Sequence, residues 1–343
     1  MDIPAIFPLD ITTHLEQWPL AVPLRISGYT FTMLDVMVLT VSDGEREGRA
    51  EAVGIYYRKD TPERMVAQIA AMRDRIVAGI DRNTLRSLMP AGGARNALDC
   101  ALWEFQARRS GLHVWQLAGL PPPRPLVTTY TVGADEPKKM ADAARRYTQA
   151  RALKLKLTGD DADAERVRAV RGARSDVWIG VDANQGLNLE SLRRLMPIFL
   201  EAQVRLIEQP FPVGQESQLD AIESPIPIAA DESLQTLEDL PGLAGRFDAI
   251  NIKLDKCGGL TEGLAIARRA HELNLQVMVG NMIGTSLAMA PAFVLGQLCD
   301  LVDLDGPIWL ANDRPPTASY EDGRIWCPPL VWGAPSALSP AGP

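Results

Sequence analysis

Eight short β-rich runs alternate with helical stretches over the second part of the chain, and this alternation restricts the fold more than any other feature. Strands that alternate with helices form parallel sheets, and eight such units over about 180 residues predict a closed barrel. An open doubly wound sheet is the alternative, and it is disfavoured because no glycine-rich phosphate loop follows the first run. The predicted strands lie at 126–132, 152–157, 177–182, 204–208, 227–231, 249–253, 275–280 and 300–304.

The segment before the barrel has a different, α+β pattern. We predict strands at 34–41 and 49–55 and helices near 62–78 and 93–109. The segment LPPPRPL at 120–126 cannot continue a helix, because proline lacks the amide proton and clashes with the preceding turn. We therefore predict three parts: an α+β capping domain over 1–122, the barrel over 123–320, and a C-terminal segment over 321–343 that returns to the cap.

Charge and cysteine content exclude several classes of protein. A net charge of -8 disfavours a nucleic-acid surface, which needs clustered Lys and Arg. The four cysteines form no CxxC pair, so neither a zinc site nor a disulfide framework is indicated. The proline-broken start MDIPAIFPLD is not a secretory signal, and no apolar run reaches the roughly 18 residues of a membrane span. We expect a cytoplasmic homo-oligomeric enzyme with a small-molecule substrate and no nucleic-acid or membrane partner.

Six of the predicted strands carry a charged residue at or near the C-terminal end. The first five charges are 26, 26, 23 and 22 residues apart, which is about one βα unit, so each strand delivers one group to the same rim. Barrel enzymes place their active sites at this rim. An ionised side chain at the end of an apolar strand is costly to bury unless it is paired or bound to a metal. In chain order the six are Lys156, Asp182, Glu208, Asp231, Lys253 and Asp303.

The three carboxylates Asp182, Glu208 and Asp231 lie on the neighbouring strands three, four and five. A cluster of carboxylates without His or Cys suits a hard cation with oxygen ligands. We predict one Mg²⁺, with Mn²⁺ as the alternative. Any one of these residues could be a solvated charge at a strand end. Three of them spaced one βα unit apart are better explained by a shared site.

Two lysines, Lys156 on strand two and Lys253 on strand six, are four strands apart and should face each other across the barrel mouth. A substrate carbon between them would have one amine on each face, so one lysine could remove a proton and the other return it with inversion. Lys154 points to the same face as Lys156, and with the metal it should lower the pKa of that base. Lys256 competes with Lys253, but it lies beyond the apolar run AINI with the opposite parity.

The need for a metal follows from the acidity of the substrate. A proton beside a carboxylate is a very weak acid, because its removal builds a dianionic enediolate. A divalent cation at the carboxylate oxygens stabilises that charge as it develops. The lysine pair and the acidic triad together therefore indicate proton transfer at a carbon next to a carboxylate.

Several motifs in this order resemble the enolase superfamily, in its muconate-lactonizing branch, and the resemblance covers nearly the whole chain. It implies an α/β fold, a modified TIM barrel (β/α)7β with an N-terminal α+β capping domain, and one Mg²⁺. The motifs are KLK at 154–156, VDANQG at 181–186, IEQP at 207–210, ADES at 230–233, IKLDKCGG at 252–259 and the helical ARNALDCALWEF.

The resemblance also implies roles for individual residues. The acidic triad matches the metal ligands, and the two opposed lysines match the acid/base pair. Asn184 and Glu232 match residues that support the ligands. The mandelate racemase branch uses a His–Asp base instead, and it is disfavoured because none of His14, His113 and His271 ends a predicted strand.

Strand eight carries Asp303 and Asp305 on one face. This Asp-x-Asp motif resembles that of dipeptide epimerases, which holds the free N-terminal amine of a dipeptide. The resemblance implies epimerisation of the C-terminal residue of an L,L-dipeptide. A pair that holds a neighbouring barrel loop is one alternative. N-acylamino acid racemase, o-succinylbenzoate synthase or muconate cycloisomerase activity is another, but an acylated amine has no positive charge to offer the aspartates.

The cap departs from the Ala-Glu epimerase-like pattern. Such members carry a cap arginine that could meet a substrate carboxylate, whereas PLRISGYTFT has Gly28 at that position. Arg25 and Arg58 are nearby but are not clear substitutes, so the side-chain preference stays open. In the loop GNMIGTS after strand seven, Thr285 and Ser286 are candidates for hydrogen bonding to substrate.

Overall fold

An antiparallel sheet forms the N-terminal part of the protein, in a computed structural model that describes residues 9–26 and 28–335. Its strands β1 (Asp10–Ile26), β2 (Tyr29–Ser42) and β3 (Glu47–Ala52) lie in that order. The sequence predicted the second and third strands and missed β1. The reason is that β1 contains two prolines and its register with β2 shifts between Pro19 and Leu24. Proline is tolerated there because β1 is an edge strand.

Five helices complete this part: α1 (Pro62–Ala71), α2 (Arg73–Val77), α3 (Arg82–Leu88), α4 (Gly93–Ser110) and α5 (Val114–Leu117). The long helix α4 is buried along most of its length and packs on β2 and β3. Gly48 permits this approach, because a Cβ at that position would lie 2.1 Å from the backbone oxygen of Ala101. α4 ends at Gly111, whose φ of 70° suits glycine.

Eight parallel strands form the central sheet, in the order β12-β11-β10-β9-β8-β7-β6-β5. This confirms the predicted α/β class and barrel. The first predicted strand is divided at Thr128 into β4 (Leu126–Val127), which joins another sheet, and β5 (Thr129–Val132). The others are β6 (Ala152–Lys156), β7 (Trp178–Asp182), β8 (Val204–Glu208), β9 (Ile228–Ala230), β10 (Ala249–Ile252), β11 (Gln276–Val279) and β12 (Leu301–Val302).

Helices connect most successive barrel strands. Between β8 and β9 a 3-10 segment, Glu216–Ala221, replaces the α-helix, and in the described chain β12 is followed by the 3-10 segment Gly306–Trp309. Two further 3-10 segments are Tyr56–Arg58 and Leu237–Asp239. The α-helices are α6 (Pro137–Arg146), α7 (Asp163–Ala173), α8 (Leu189–Glu201), α9 (Leu240–Leu243), α10 (Leu254–Cys257), α11 (Leu260–Glu272) and α12 (Ser286–Gly296). Across residues 9–26 and 28–335, no helix has the length and apolarity needed to cross a bilayer.

Side chains bridge β5 and β12, the two ends of the barrel sheet. The amide of Leu304 donates to Thr128 Oγ1 at 2.9 Å, and the amide of Thr131 donates to Asp305 Oδ2 at 2.6 Å. Asp303 also accepts a hydrogen bond from the Thr129 hydroxyl. The aspartates predicted for substrate binding therefore help to close the barrel.

The C-terminal strands β13 (Ser319–Glu321) and β14 (Arg324–Trp326) form a small antiparallel sheet with β4. Beyond them, Trp332 Nε1 donates to the backbone oxygen of Arg49 at 3.0 Å, and the amide of Gly333 donates to Glu104 Oε1 at 3.3 Å. These contacts support the predicted return to the cap. The three domain boundaries stay a prediction, and residues 336–343 of the third part lie outside the described chain.

A buried carboxylate joins the cap to the barrel. Asp255, in α10 directly after β10, accepts hydrogen bonds at Oδ1 from the amides of Val53 and Gly54, at 3.0 and 2.9 Å. Burial raises the pKa of Asp255 to about 6, against the opposing effect of these two amides. Its ionised form is thus costly in the folded protein.

We expect Asp255→Asn to change how stability depends on pH. The folded pKa of about 6 exceeds the usual 3.8. Protonated Asp255 therefore stabilises the folded state fully below pH 3.8, and this contribution is lost as the pH rises through 6. Asparagine keeps the oxygen that accepts both amides and removes the charge. Between pH 4 and 7.5, the free energy of unfolding of the variant relative to the wild type should rise by on the order of 2 kcal/mol, measured by urea unfolding. Identical pH profiles would contradict this, whereas Asp255→Ala should lose stability at both pH values.

Candidate active site

Three buried carboxylates meet at the C-terminal rim of the barrel. Asp182 and Glu208 end β7 and β8, and Asp231 directly follows β9. One carboxylate oxygen from each lies within 4.8 Å of the others. Glu208 Oε2 is buried and makes no hydrogen bond in the described chain, although Lys154 Nζ lies 3.5 Å away. A buried cluster of carboxylate oxygens without nitrogen or sulfur ligands fits a hard divalent cation.

The two predicted lysines lie on opposite sides of this triad. Lys156 Nζ is 2.5 Å from Asp182 Oδ2, and Lys253 Nζ is 2.6 Å from Asp231 Oδ2. Their strands, β6 and β10, are four positions apart in the eight-stranded order. Both side chains line one cavity of about 310 Å³ between the barrel mouth and the cap.

Two further buried lysines neutralise the rim. Lys154 Nζ contacts Asp303 and lies 3.5 Å from Glu208 Oε2. Lys256 Nζ is 2.6 Å from Asp231 Oδ1 and donates to the backbone oxygen of Asn251 at 3.0 Å. Lys154 is thus already paired and is not an uncompensated cation beside the predicted base. Lys256 is absent from the cavity lining, which supports Lys253 as the residue that faces a substrate.

Burial and mutual charge set the ionisation of the rim. Burial raises the pKa of Glu208 to about 8, and the charge of Asp182 adds to this effect. Burial would also raise the pKa of Asp231, but Lys253 and Lys256 lower it well below the usual range. Burial disfavours the Lys253 ammonium, yet Asp231 and Glu208 outweigh it and raise the pKa of that lysine. The neighbouring carboxylates therefore favour the ammonium form of Lys253.

Amide side chains orient the carboxylates. Asn184 donates from its backbone to Asp182 Oδ1 at 2.8 Å and from Nδ2 to Glu232 Oε1 at 3.4 Å. The two predicted supporting residues are thus next to the triad. Asn251 Nδ2 donates to Glu208 Oε1 at 2.7 Å, and sequence reasoning missed it. Its position two residues before Lys253 puts it on the same face of the strand, which could have indicated the role.

Asp303 and Asp305 are buried and line the cavity. Asp303 contacts Lys154 and Thr129, whereas Asp305 Oδ2 accepts hydrogen bonds from the Thr131 amide and from Trp309 Nε1 at 3.3 Å. Burial and the charge of Asp303 raise the pKa of Asp305. The pair thus faces the cavity and also holds β5, so the two roles weighed from the sequence are compatible.

The structure corrects the prediction for Thr285 and Ser286. Thr285 donates from its backbone and hydroxyl to Glu51 at 2.8 and 2.5 Å. Ser286 donates in the same way to Asp313 at 2.9 and 2.5 Å. Both residues are fully buried and neither lines the cavity. Their hydroxyls hold carboxylates at the start of α12, so the prediction that they bind substrate is wrong.

The fold and the site define a capped parallel barrel with a carboxylate triad between opposed lysines. The family model described as "Enolase C-terminal domain-like" matches residues 139–331. The model described as "Mandelate racemase / muconate lactonizing enzyme, N-terminal domain" matches residues 9–119. The chain therefore belongs to the mandelate racemase and muconate lactonizing enzyme family of the enolase superfamily, as its motifs predicted.

Similar proteins narrow this class to racemases and epimerases. L-Ala-D/L-Glu epimerase from Escherichia coli (strain K12) is 36% identical over 90% of this chain and 97% of that protein. N-acetyl-D-glutamate racemase from Pseudoalteromonas sp is 37% identical over 87% of this chain and 95% of that protein. The crystal structure of an Agrobacterium tumefaciens enolase family member with homology to dipeptide epimerases contains sodium and L-Ala-L-Glu. It is 42% identical with a TM-score of 0.92, and covers 95% of this chain and 100% of that one.

Proposed function

We propose that the protein is a Mg²⁺-dependent dipeptide epimerase, an isomerase that inverts the C-terminal residue of an L,L-dipeptide. The observation that carries the proposal is the placement of Lys156 and Lys253 on opposite sides of the triad within one cavity. The buried Asp303 and Asp305 at the same cavity support a substrate with a free amine. Lys154 pairs with Asp303, whereas Asp305 accepts hydrogen bonds from uncharged donors and could face an ammonium ion.

We infer that Asp182, Glu208 and Asp231 hold one Mg²⁺ ion. The all-oxygen ligand set and a Glu208 oxygen that makes no hydrogen bond in the described chain support this assignment. When bound, the ion would supply charge stabilisation to the enediolate dianion formed from the substrate carboxylate. Its charge would also offset the carboxylates that keep the pKa of Lys253 raised. Asn184 and Glu232 then support the ligand cluster.

In the proposed reaction the two lysines exchange one proton each with the substrate. Lys156 takes the α-proton from one face, and the electron pair of the broken C–H bond enters the enediolate. Lys253 gives its ammonium proton to the opposite face and forms the new C–H bond. Lys253 must be protonated and Lys156 neutral when the L,L-dipeptide binds. In the reverse direction the two lysines exchange roles.

Incubation with L,L-dipeptides and Mg²⁺ in D₂O tests the proposal. We expect one deuterium to enter the C-terminal residue while its configuration inverts, measured by mass spectrometry and chiral chromatography. The matched control is the N-acetylated form of each dipeptide, which lacks the ammonium group and should react at least about 100-fold more slowly.

Exchange into N-acylamino acids with none into dipeptides would overturn the dipeptide assignment and favour the racemase alternative, which the relative from Pseudoalteromonas sp supports by its name. No exchange into any of these substrates would overturn the proton-transfer proposal itself. The homo-oligomeric state and the cytoplasmic location stay predictions.

A further inference from the structure

Apolar residues of the cap and the barrel line part of the cavity. They form a small hydrophobic cluster, and Ile283 also packs against the main core. Three of them are almost fully buried although they line an open cavity, with 5% exposure for Leu24 and Ile26 and 6% for Trp309. We call this set the apolar wall, and it consists of Leu24, Ile26, Phe31, Tyr56, Ile283 and Trp309.

The wall extends from Asp305 to the aromatic pair Phe31 and Tyr56 within the cavity lining. At one end Trp309 donates to Asp305, next to the proposed amine site. At the other end Phe31 and Tyr56 lie edge to face, with ring centroids 5.2 Å apart and an interplanar angle of 73°. Tyr56 lines the same cavity as Lys156 and Lys253. The aromatic end therefore belongs to the cavity that contains the two proposed acid/base lysines.

Among the described cap residues, those that add charge to the cavity lining are acidic. They are Asp35, Asp60 and Glu63, and two of them, Asp35 and Glu63, are exposed at the mouth. The cations in the lining are Lys154, Lys156 and Lys253, which belong to the barrel and are paired with carboxylates. An acidic substrate side chain on the cap side would lose its hydration without a cationic partner there, at a large cost in free energy.

We propose that the C-terminal side chain of the substrate is apolar, either aromatic or large aliphatic, and that the aromatic end of the apolar wall binds it. This inference rests on the proposed function and names its substrate class. Apolar lining with a few convergent polar groups is typical of sites that bury an uncharged ligand moiety. An apolar substrate side chain would contact the apolar wall inside the cavity. The acidic residues at the cavity mouth would repel a carboxylate.

A four-substrate comparison tests this preference: L-Ala-L-Phe, L-Ala-L-Leu, L-Ala-L-Glu and L-Ala-L-Lys with Mg²⁺. We expect kcat/KM for the Phe and Leu substrates to exceed that for the Glu substrate by at least about 100-fold. A preference for L-Ala-L-Glu would overturn the inference and leave the epimerase proposal intact. A preference for L-Ala-L-Lys would also overturn it, and would assign the selectivity to the acidic mouth. Turnover of none of them would overturn both.

Phe31→Ala tests the wall directly. We expect it to lower kcat/KM for L-Ala-L-Phe by about 10-fold or more and to change that for L-Ala-L-Glu much less. The matched control is Leu15→Ala, an exposed apolar residue of the same sheet outside the cavity lining, which should change neither value. Misfolding would lower kcat/KM for both substrates equally, so the quantity to compare is the ratio of kcat/KM for L-Ala-L-Phe to that for L-Ala-L-Glu. An unchanged Phe/Glu ratio would contradict a role for the aromatic end.

Discussion

Lys253→Ala is expected to abolish epimerisation while leaving hydrogen exchange of one substrate epimer intact. Each lysine serves one face of the reacting carbon, so Lys156 should still exchange the α-proton of the L,L-dipeptide with solvent and retain its configuration. Lys156→Ala should show the reverse, with exchange confined to the L,D-epimer. Turnover should fall by at least about 10³-fold in either variant, because a general acid or base is lost. Proton NMR in D₂O with each pure epimer measures both effects.

A control variant distinguishes loss of an acid/base group from loss of one positive charge. Lys138→Ala removes an exposed lysine, whose side chain is 87% accessible and pairs with Asp142 on the same helix, and it should retain full activity. Loss of exchange for both epimers in each single-lysine variant would contradict the assignment of one lysine per face. Epimerisation by Lys253→Ala would contradict the role of Lys253 altogether.

Glu208→Gln is expected to remove Mg²⁺ binding and with it about 10³-fold or more of the activity. The amide keeps the size of the side chain and an oxygen for the Asn251 hydrogen bond, but it has no negative charge. In the wild type, Mg²⁺ at 100 times its dissociation constant should stabilise the fold by about 2.7 kcal/mol. Thermal unfolding with and without Mg²⁺ measures this gain, which should be absent in the variant.

The same experiment has a defined pH dependence. In the metal-free protein the pKa of Glu208, raised to about 8, lies above its usual 4.5. The stability contributed by protonated Glu208 is thus lost as the pH rises through 8. The increase in stability on adding Mg²⁺ should therefore grow over this range. Glu223→Gln, an exposed glutamate away from the rim, should behave as the wild type. An equal Mg²⁺ response in Glu208→Gln would show that this residue does not bind the ion.

The barrel and its charged rim could be predicted because both depend on local periodicity. Alternation of strands and helices defines a parallel sheet, and charges one βα unit apart must meet at one edge. The edge strand β1 was missed because its prolines and register shift disrupt the alternating pattern. Thr285 and Ser286 were misassigned because a loop hydroxyl has no periodicity, and only the fold shows that Glu51 and Asp313 accept hydrogen bonds from these hydroxyls.

The sequence by itself determined the family, the eight-stranded order and the residues at the strand ends, since these follow from spacing along the chain. Tertiary structure alone decided how the charges pair. It placed Lys256 and Asn251 next to the triad, gave Asp303 and Asp305 a second role between β5 and β12, and joined cap and barrel residues in the apolar wall. Such contacts join residues far apart in the chain, so their geometry depends on how the cap packs against the barrel rather than on any local pattern.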